Sequence, residues 1–149
     1  MPRNKLKIVT DSCCKIASAH LPGRSSKGYA ACGVLFLDEE NQVISEHSQY
    51  LGEMTVPQAE YRGLIFALDK ASGVCRGELE VWMDSEFVVR QLNGDYGIKS
   101  DNMKPLFHEV KALEHRFSKG VRYFHHPREA ELAVRADQLA NKELKKYRP

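Results

Sequence analysis

The segment Leu6-Lys7-Ile8-Val9-Thr10-Asp11 sets the fold class, because it is an apolar strand that ends on a carboxylate. A second segment, Leu79-Glu80-Val81-Trp82-Met83-Asp84, repeats this pattern. Glu60 and Asp137 fall on or beside the core-facing stripes of two predicted helices. Carboxylates gathered near apolar surfaces are costly unless a counter-charge holds them. Since no Lys or Arg occupies the same stripes, the sequence indicates a divalent cation and metal-assisted chemistry.

Length and composition limit the possible protein classes. With 149 residues the chain can build one complete core but not two ordinary domains, so a single domain over residues 1–149 is expected. The hydrophobic content of 42% and charged content of 28% are typical of a soluble globular protein. No apolar run approaches the roughly 20 residues that span a bilayer, and the basic start lacks the apolar stretch of a signal peptide. We therefore expect a cytoplasmic monomer without a membrane partner.

The cysteines and the net charge carry little functional information. Cys13, Cys14, Cys32 and Cys75 show no C-x-x-C spacing, and an adjacent pair cannot chelate zinc in the usual loop geometry. Free thiols are therefore expected. The net charge is only +2, with basic residues gathered at the two ends of the chain. This is a weak argument for a polyanionic partner, and solvated termini explain it equally well.

The first half of the chain predicts three strands followed by a helix. The strands are expected over residues 6–11, 28–37 and 43–51, with a long polar loop over 12–27. The polar turn Asp38-Glu39-Glu40-Asn41 between two apolar runs predicts a hairpin. Thr55-Val56-Pro57-Gln58 has the pattern of a capping box, so a helix is expected to begin there and to end near Gly73.

The second half predicts a strand, two helices, a strand and a last helix. Asp84 is expected at a strand-to-helix junction, with Ser85 opening a short helix. The following helix is predicted to direct Met103, Phe117 and the apolar residues between them toward the core and to end near Gly120, and residues 121–125 to form the fifth strand. In the last helix one stripe contains Ala133, Ala136, Asp137, Ala140 and Leu144. The whole pattern predicts one α/β domain with a mixed sheet.

The four acids suit one kind of chemistry when they are taken together. Carboxylate oxygens are ligands for hard cations such as Mg²⁺ and Mn²⁺, whereas thiolates or clustered imidazoles would suit zinc. Two such ions about 4 Å apart can activate a water and stabilise the leaving oxygen of a phosphoryl displacement. Individually, Asp84 could instead cap its helix and Glu60 could form a surface ion pair. As a set, the acids indicate phosphodiester hydrolysis.

Four stretches resemble the motifs of the type 1 ribonuclease H family, especially its compact archaeal and bacterial branch. They are Gln58-Ala59-Glu60-Tyr61-Arg62-Gly63-Leu64, Asp84-Ser85 followed by Gln91-Leu92-Asn93-Gly94, His125-His126-Pro127-Arg128-Glu129, and Ala136-Asp137-Gln138-Leu139-Ala140-Asn141. The resemblance implies a ribonuclease H-like fold, a five-stranded mixed sheet flanked by helices. It also implies an endonuclease that cuts the RNA strand of an RNA–DNA hybrid and leaves 3′-hydroxyl and 5′-phosphate ends.

The resemblance also implies a role for each acid. Asp11 would bridge two Mg²⁺ or Mn²⁺ ions, Asp137 would complete the site on the nucleophile side, and Glu60 and Asp84 would hold the ion nearer the leaving group. A loop histidine would assist proton movement or product release. His125 fits the first position of the motif, but its separation from Asp137 is about two residues longer than usual, so His126 remains an alternative. Substrate contacts would come from Ser12, Cys13, Gln58, Ser85, Asn93 and Arg128.

Several positions depart from the family pattern. Val56 and Pro57 stand where the family has two Asn residues that contact nucleic acid, Ser12 replaces a usual Gly, and Glu86 replaces a frequent Gln. A negative charge beside a phosphate path is unfavourable unless it is paired. Lys99 and Lys104 are minor substitutes for the basic protrusion of some bacterial relatives. Because phosphate contacts supply most of the salt-sensitive affinity, weak and salt-sensitive binding is expected.

Two alternatives remain open. The same fold could bind an RNA–DNA hybrid or double-stranded RNA without cleaving it, since the missing Asn pair weakens the case for turnover. The chain could also be an enzyme that accepts RNA–RNA duplexes or a lone ribonucleotide junction. The intact set of four acids favours the hybrid-cleaving enzyme.

Overall fold

The computed structural model describes residues 2–15, 27–94, 97, 101–126 and 130–147. Strands and helices within this part follow the order expected from the sequence. They are β1 (Arg3–Lys15), β2 (Lys27–Leu37), β3 (Val43–Thr55), α1 (Val56–Ser72), β4 (Cys75–Met83), α2 (Glu86–Leu92), α3 (Lys104–Glu114), β5 (Val121–His125) and α4 (Glu131–Tyr147). None of these helices combines the length and the apolarity needed to cross a membrane.

The strands form a mixed sheet in the order β3-β2-β1-β4-β5. The β1–β2 and β2–β3 pairs are antiparallel, whereas β1–β4 and β4–β5 are parallel. The predicted fold class, a five-stranded mixed sheet flanked by helices, is confirmed. Since β1 and β4 run side by side in the same direction and their pairing ends at Val9 opposite Trp82, the carboxyl-terminal end of β4 lies beside the middle of β1.

Helices cover both faces of the sheet. Side chains of β1 alternate between the faces, so that Leu6 and Ile8 enter the larger core beneath α1, α2 and α3, and Val9 enters the smaller core beneath α4. Tyr61 is buried in the larger cluster. Trp82 is only partly buried at the margin of the smaller one.

Two predicted local motifs are confirmed in atomic detail. The side-chain oxygen of Thr55 accepts from the Gln58 amide at 3.3 Å, while Gln58 Oε1 accepts from the Thr55 amide at 3.0 Å. This capping box satisfies amides that the first turn of α1 would otherwise leave without a partner. In the β2–β3 hairpin, the Asp38 carboxylate accepts from the Glu40 and Gln42 amides, and Asn41 takes the left-handed conformation (φ 64°) that Asn tolerates.

Other boundaries differ from the prediction. β1 continues to Lys15 because β2 pairs with it from Lys7 to Lys15, so Asp11 lies inside the strand rather than at its end. The middle of the predicted loop, residues 16–26, lies outside the described residues. α2 begins at Glu86, one residue after Ser85, and α3 ends at Glu114. Phe117 is nevertheless buried, because the turns after α3 fold it back onto the core.

Candidate active site

Three carboxylates meet where β1, α1 and β4 come together. Asp11 is in β1, Glu60 in α1, and Asp84 directly follows β4. Each contributes a carboxylate oxygen, and these oxygens lie within 4.8 Å of one another. Asp11 is buried, with 8% of its surface exposed, while Glu60 and Asp84 are half-buried. Asp11 therefore lies at the buried base of the cluster, and Glu60 and Asp84 lie nearer to solvent.

Asp137 reaches the cluster from the opposite face of the sheet. A hydrogen bond between the Asp11 and Asp137 side chains contributes to raising the pKa of Asp11. Asp137 was expected within the apolar stripe of α4, and this expectation is wrong, because Asp137 is exposed and its neighbour Ala136 is buried. Successive helical residues are rotated by about 100°, so the residue after a buried one lies at the stripe's edge. That edge faces Asp11.

The electrostatics of the cluster favour a cation. Burial raises the pKa of Asp11 to about 9, with smaller contributions from the negative charges of Asp84 and Glu60 and from Asp137. Asp11 therefore holds a proton at neutral pH when no counter-ion is present. A divalent cation would replace that proton and offset the crowded charge. The donor set consists of carboxylate oxygens alone, which fits Mg²⁺ or Mn²⁺ rather than zinc.

Close packing between β1 and α1 fixes the position of Glu60. Ser12 Oγ donates to the carbonyl oxygen of Ala59 at 2.9 Å. One turn later, Gly63 lies against the same strand, and a Cβ built on it would overlap Ser12 Oγ and lie 3.0 Å from Cys32 Cβ. α1 thus packs closely against the sheet beside Glu60.

Most of the predicted substrate-contact residues have structural partners. Ser12 bonds to α1 as described above, and Gln58 completes the capping box. Ser85 Oγ accepts from the Val88 amide at 3.4 Å and is the N-cap of α2. The role of helix cap considered for Asp84 therefore belongs to Ser85. The substrate contacts assigned to these residues stay predictions.

The remaining predicted contact residues differ in accessibility. Asn93 Nδ2 donates to the Tyr123 carbonyl at 3.2 Å, which ties the end of α2 to β5. Cys13 is buried and its thiol pKa is raised to about 11, mainly by burial. Like Cys14, Cys32 and Cys75, Cys13 is a free thiol, as expected. Arg128 lies outside the described residues.

The two candidate histidines differ sharply in burial. His125 ends β5, pairs with Met83 in the sheet register, and is exposed. His126 is buried, with 7% of its surface exposed, and its ring lies 6.5 Å from the Trp82 ring. The His126 amide donates to the Met83 carbonyl at 2.9 Å. An exposed imidazole can exchange protons with a bound substrate and solvent more readily than a buried one.

The negative charge of Glu86, which departs from the family pattern, is paired. Arg90 Nη2 lies 2.9 Å from Glu86 Oε1, one helical turn away on the exposed side of α2. The i,i+4 spacing of these residues could have revealed this partner from the sequence. The pair offsets the charge that the sequence places two residues beyond Asp84.

Sequence reasoning missed two glycines that control how the helices approach the site. Gly63 in α1 and Gly33 in β2 each occupy a position where a Cβ would collide with the facing element. An isolated Gly inside an apolar strand or a helix is itself a signal of close backbone approach. That signal is visible in both segments.

Comparison with known sequences assigns the family. The profile of the family described as "Reverse transcriptase-like" matches residues 22–143. The bifunctional protein Rv2228c of Mycobacterium tuberculosis is 36% identical over 114 residues, which are 76% of this chain and 30% of that protein. Ribonuclease HI of Halobacterium salinarum is 30% identical over 121 residues, which are 81% of this chain and 59% of that protein. The chain thus spans less than two thirds of the length of these curated relatives.

Solved structures agree with this assignment. LC11-RNase H1, which was isolated from compost by a metagenomic approach, has been solved in complex with an RNA/DNA hybrid. It matches this chain with a TM-score of 0.79 and 32% identity, covering 95% of this chain and 97% of that one. Since sequence profile, curated relatives and solved structure agree, the chain belongs to the type 1 ribonuclease H family.

Proposed function

We propose that this protein is an endoribonuclease that hydrolyses the RNA strand of RNA–DNA hybrids with two divalent metal ions, giving 3′-hydroxyl and 5′-phosphate ends. The observation that carries the proposal is the meeting of the Asp11, Glu60 and Asp84 carboxylates within 4.8 Å. The hydrogen bond between Asp11 and Asp137 adds the fourth acid from the other face of the sheet. The hybrid bound by LC11-RNase H1 supports the substrate class.

Each acid has a distinct position in the proposed site. Asp11 clusters with Glu60 and Asp84 and hydrogen-bonds to Asp137 of α4, so it is the acid that would help to hold both ions. When bound, Mg²⁺ or Mn²⁺ ions supply an activated water and stabilise negative charge on the scissile phosphate and its leaving oxygen. The scissile phosphate would add oxygen ligands, so metal binding should strengthen when the substrate arrives.

The protein side chains hold the reacting groups in place. Ser12 and the capping box fix α1 and therefore Glu60, and Ser85 fixes the start of α2 beyond Asp84. We assign the proton transfer to His125 rather than His126, because the His125 side chain is exposed at the end of β5. Residues 1–149 are proposed to form one ribonuclease H domain that acts as a cytoplasmic monomer.

A cleavage assay with three duplexes tests the proposal. RNA–DNA hybrid, RNA–RNA duplex and DNA–DNA duplex, each end-labelled, are incubated with the protein and Mg²⁺ or Mn²⁺. Metal-dependent shortening of the hybrid's RNA, with the DNA duplex intact, is the expected result. A retained hybrid complex without shortened RNA in either metal would contradict the enzyme and favour the binding module. Cleavage of the RNA–RNA duplex at a similar rate would broaden the substrate class.

A further inference from the structure

Gly33 lies directly opposite Asp11 in the antiparallel pairing of β1 and β2. Its backbone has no positive φ of the kind that requires glycine; such angles occur at Gly52, Gly94 and Gly120 among the described glycines. The reason for a glycine at position 33 must therefore be space rather than backbone conformation. The element that needs this space is α4.

A side chain at position 33 would collide with the backbone of α4. A Cβ built on Gly33 would lie 2.8 Å from Leu139 Cβ and 2.9 Å from the Ala140 amide nitrogen, and closer still to the Ala136 carbonyl oxygen. Comfortable contacts between such atoms begin near 3.5 Å, so α4 would have to retreat by roughly 1 Å. The three contacted residues form the helical turn that carries Asp137.

The contact therefore joins two members of the site. Asp11 and Gly33 are register partners, and Ala136 and Asp137 are consecutive, so the contact of α4 with Gly33 lies beside the Asp11–Asp137 hydrogen bond. Ala136 and Ala140, which flank this approach, are fully buried. A displacement of α4 at this turn cannot be absorbed by a flexible side chain, because the colliding atoms include helix backbone.

We infer that Gly33 is a positioning residue for catalysis: because it has no side chain, α4 packs close enough to β2 for Asp137 to reach Asp11. This inference rests on the proposed function. A displacement of about 1 Å in a catalytic group can lower turnover by about 100-fold. If Gly33 served packing alone, its replacement would lower the stability of the fold without specifically changing the position of Asp137.

Lengthening the displaced acid separates these two roles. Gly33→Ala should lower kcat for hybrid cleavage by about 100-fold. Asp137→Glu adds one methylene and can span much of the gap, so Gly33→Ala/Asp137→Glu should recover about tenfold over Gly33→Ala. In the wild-type background the same lengthening misplaces the carboxylate and should lower kcat. The free energy of unfolding, measured in denaturant, should fall equally in Gly33→Ala and in the double variant, because the added methylene does not restore the packing.

Gly63 provides a matched control on the other face of the sheet. Gly63→Ala also creates a collision, but between α1 and the Ser12 and Cys32 side chains of the sheet, beside Glu60. Its loss of turnover should not be recovered by Asp137→Glu. Recovery in both glycine backgrounds, or losses that simply multiply in Gly33→Ala/Asp137→Glu, would overturn the inference. Wild-type turnover in folded Gly33→Ala would also overturn it.

Crystal structures of wild type and Gly33→Ala test the inference without turnover. The variant should show α4 moved outward by about 1 Å and the Asp11–Asp137 hydrogen bond broken; an unchanged hydrogen bond would contradict the inference even if no hybrid were cleaved. A wild-type protein that cleaves no hybrid would instead contradict the proposed function. Should Gly33→Ala fail to fold, Ala136→Ser adds one atom to a fully buried side chain in the same turn of α4 and should show the same pattern of rescue by Asp137→Glu.

Discussion

Ser12 Oγ donates a 2.9 Å hydrogen bond to the carbonyl oxygen of Ala59. Ser12 follows Asp11 and Ala59 precedes Glu60, so this bond joins the backbone segments of the first two acids. It also uses a hydroxyl that the family resemblance assigns to substrate binding. The geometry thus gives Ser12 a role in positioning Glu60, which can be separated experimentally from contact with nucleic acid.

Replacement of this hydroxyl should reduce stability and turnover together. Ser12→Ala is expected to lower the free energy of unfolding by about 1 kcal/mol, because a partly buried carbonyl loses its donor. Steady-state kinetics on the hybrid should show a lower kcat with little change in KM. A raised KM with an unchanged kcat would instead support a substrate contact. Ser72→Ala, which removes an exposed hydroxyl bonded within the last turn of α1, is the control and should leave the kinetics unchanged.

The raised pKa of Asp11 predicts an unusual pH dependence of stability. Its ordinary value of 3.8 rises to about 9 in the folded protein, so between these values the folded state binds a proton that the unfolded state has lost. Stability contributed by this group therefore falls as pH rises from about 4 to about 9 when metal is absent. Denaturant unfolding in chelator across this range should show the decline in wild type.

Asp11→Asn is the control for this pH profile, because it removes the titrating group and keeps the shape. The difference in unfolding free energy between wild type and variant should widen toward high pH in chelator. Added Mg²⁺ should reduce the decline in wild type alone, since the cation competes with the proton. Parallel profiles for the two proteins would contradict the assignment of a protonated Asp11.

Much of this architecture could be predicted from local sequence signals. The capping box at Thr55 and the hairpin turn at Asp38 depend on side chains that bond to nearby backbone, so the sequence reveals both. The extension of β1 through Asp11 to Lys15 could not be predicted, because pairing with β2 decides it. The exposure of Asp137 at the edge of the α4 stripe likewise depends on a tertiary contact, the packing of α4 against Gly33 of β2.

The Glu86–Arg90 pair should modulate affinity for the hybrid. Glu86→Gln removes a charge near the site, so binding should tighten about two- to fivefold, since a unit charge near a phosphate in water contributes on the order of 0.5–1 kcal/mol. Arg90→Gln should weaken binding by a similar factor. Both effects should shrink at high salt. Dissociation constants measured in chelator, which removes the metal ions that the proposed cleavage requires, provide the measurement.

A distant ion pair controls for general effects of charge. Asp69, in the carboxyl-terminal part of α1, pairs with Arg116 at 2.7 Å. Asp69→Asn makes the same change in net charge as Glu86→Gln but should leave the dissociation constant almost unchanged. Equal tightening by both variants would show that net charge, rather than the position of Glu86, determines the affinity.

The two histidines should respond differently to removal. His125→Ala should lower kcat by about 10- to 100-fold and flatten the pH–rate profile near neutrality, as loss of a proton-transfer group does. His126→Ala should mainly lower the free energy of unfolding, by about 1–2 kcal/mol, because the ring is buried beside Trp82. Both kinetic and unfolding measurements are needed on each variant. The reverse pattern would assign the proton-transfer role to His126.

Asp11→Asn tests the central claim most directly. The amide keeps the size of the carboxylate but loses the charge that the proposed pair of metal ions requires, and it removes a costly buried acid. The variant should keep the circular dichroism spectrum of the wild type, unfold at an equal or higher denaturant concentration, and cleave no RNA in a labelled hybrid with Mg²⁺ or Mn²⁺. Cleavage at the wild-type rate by the folded variant would contradict the account.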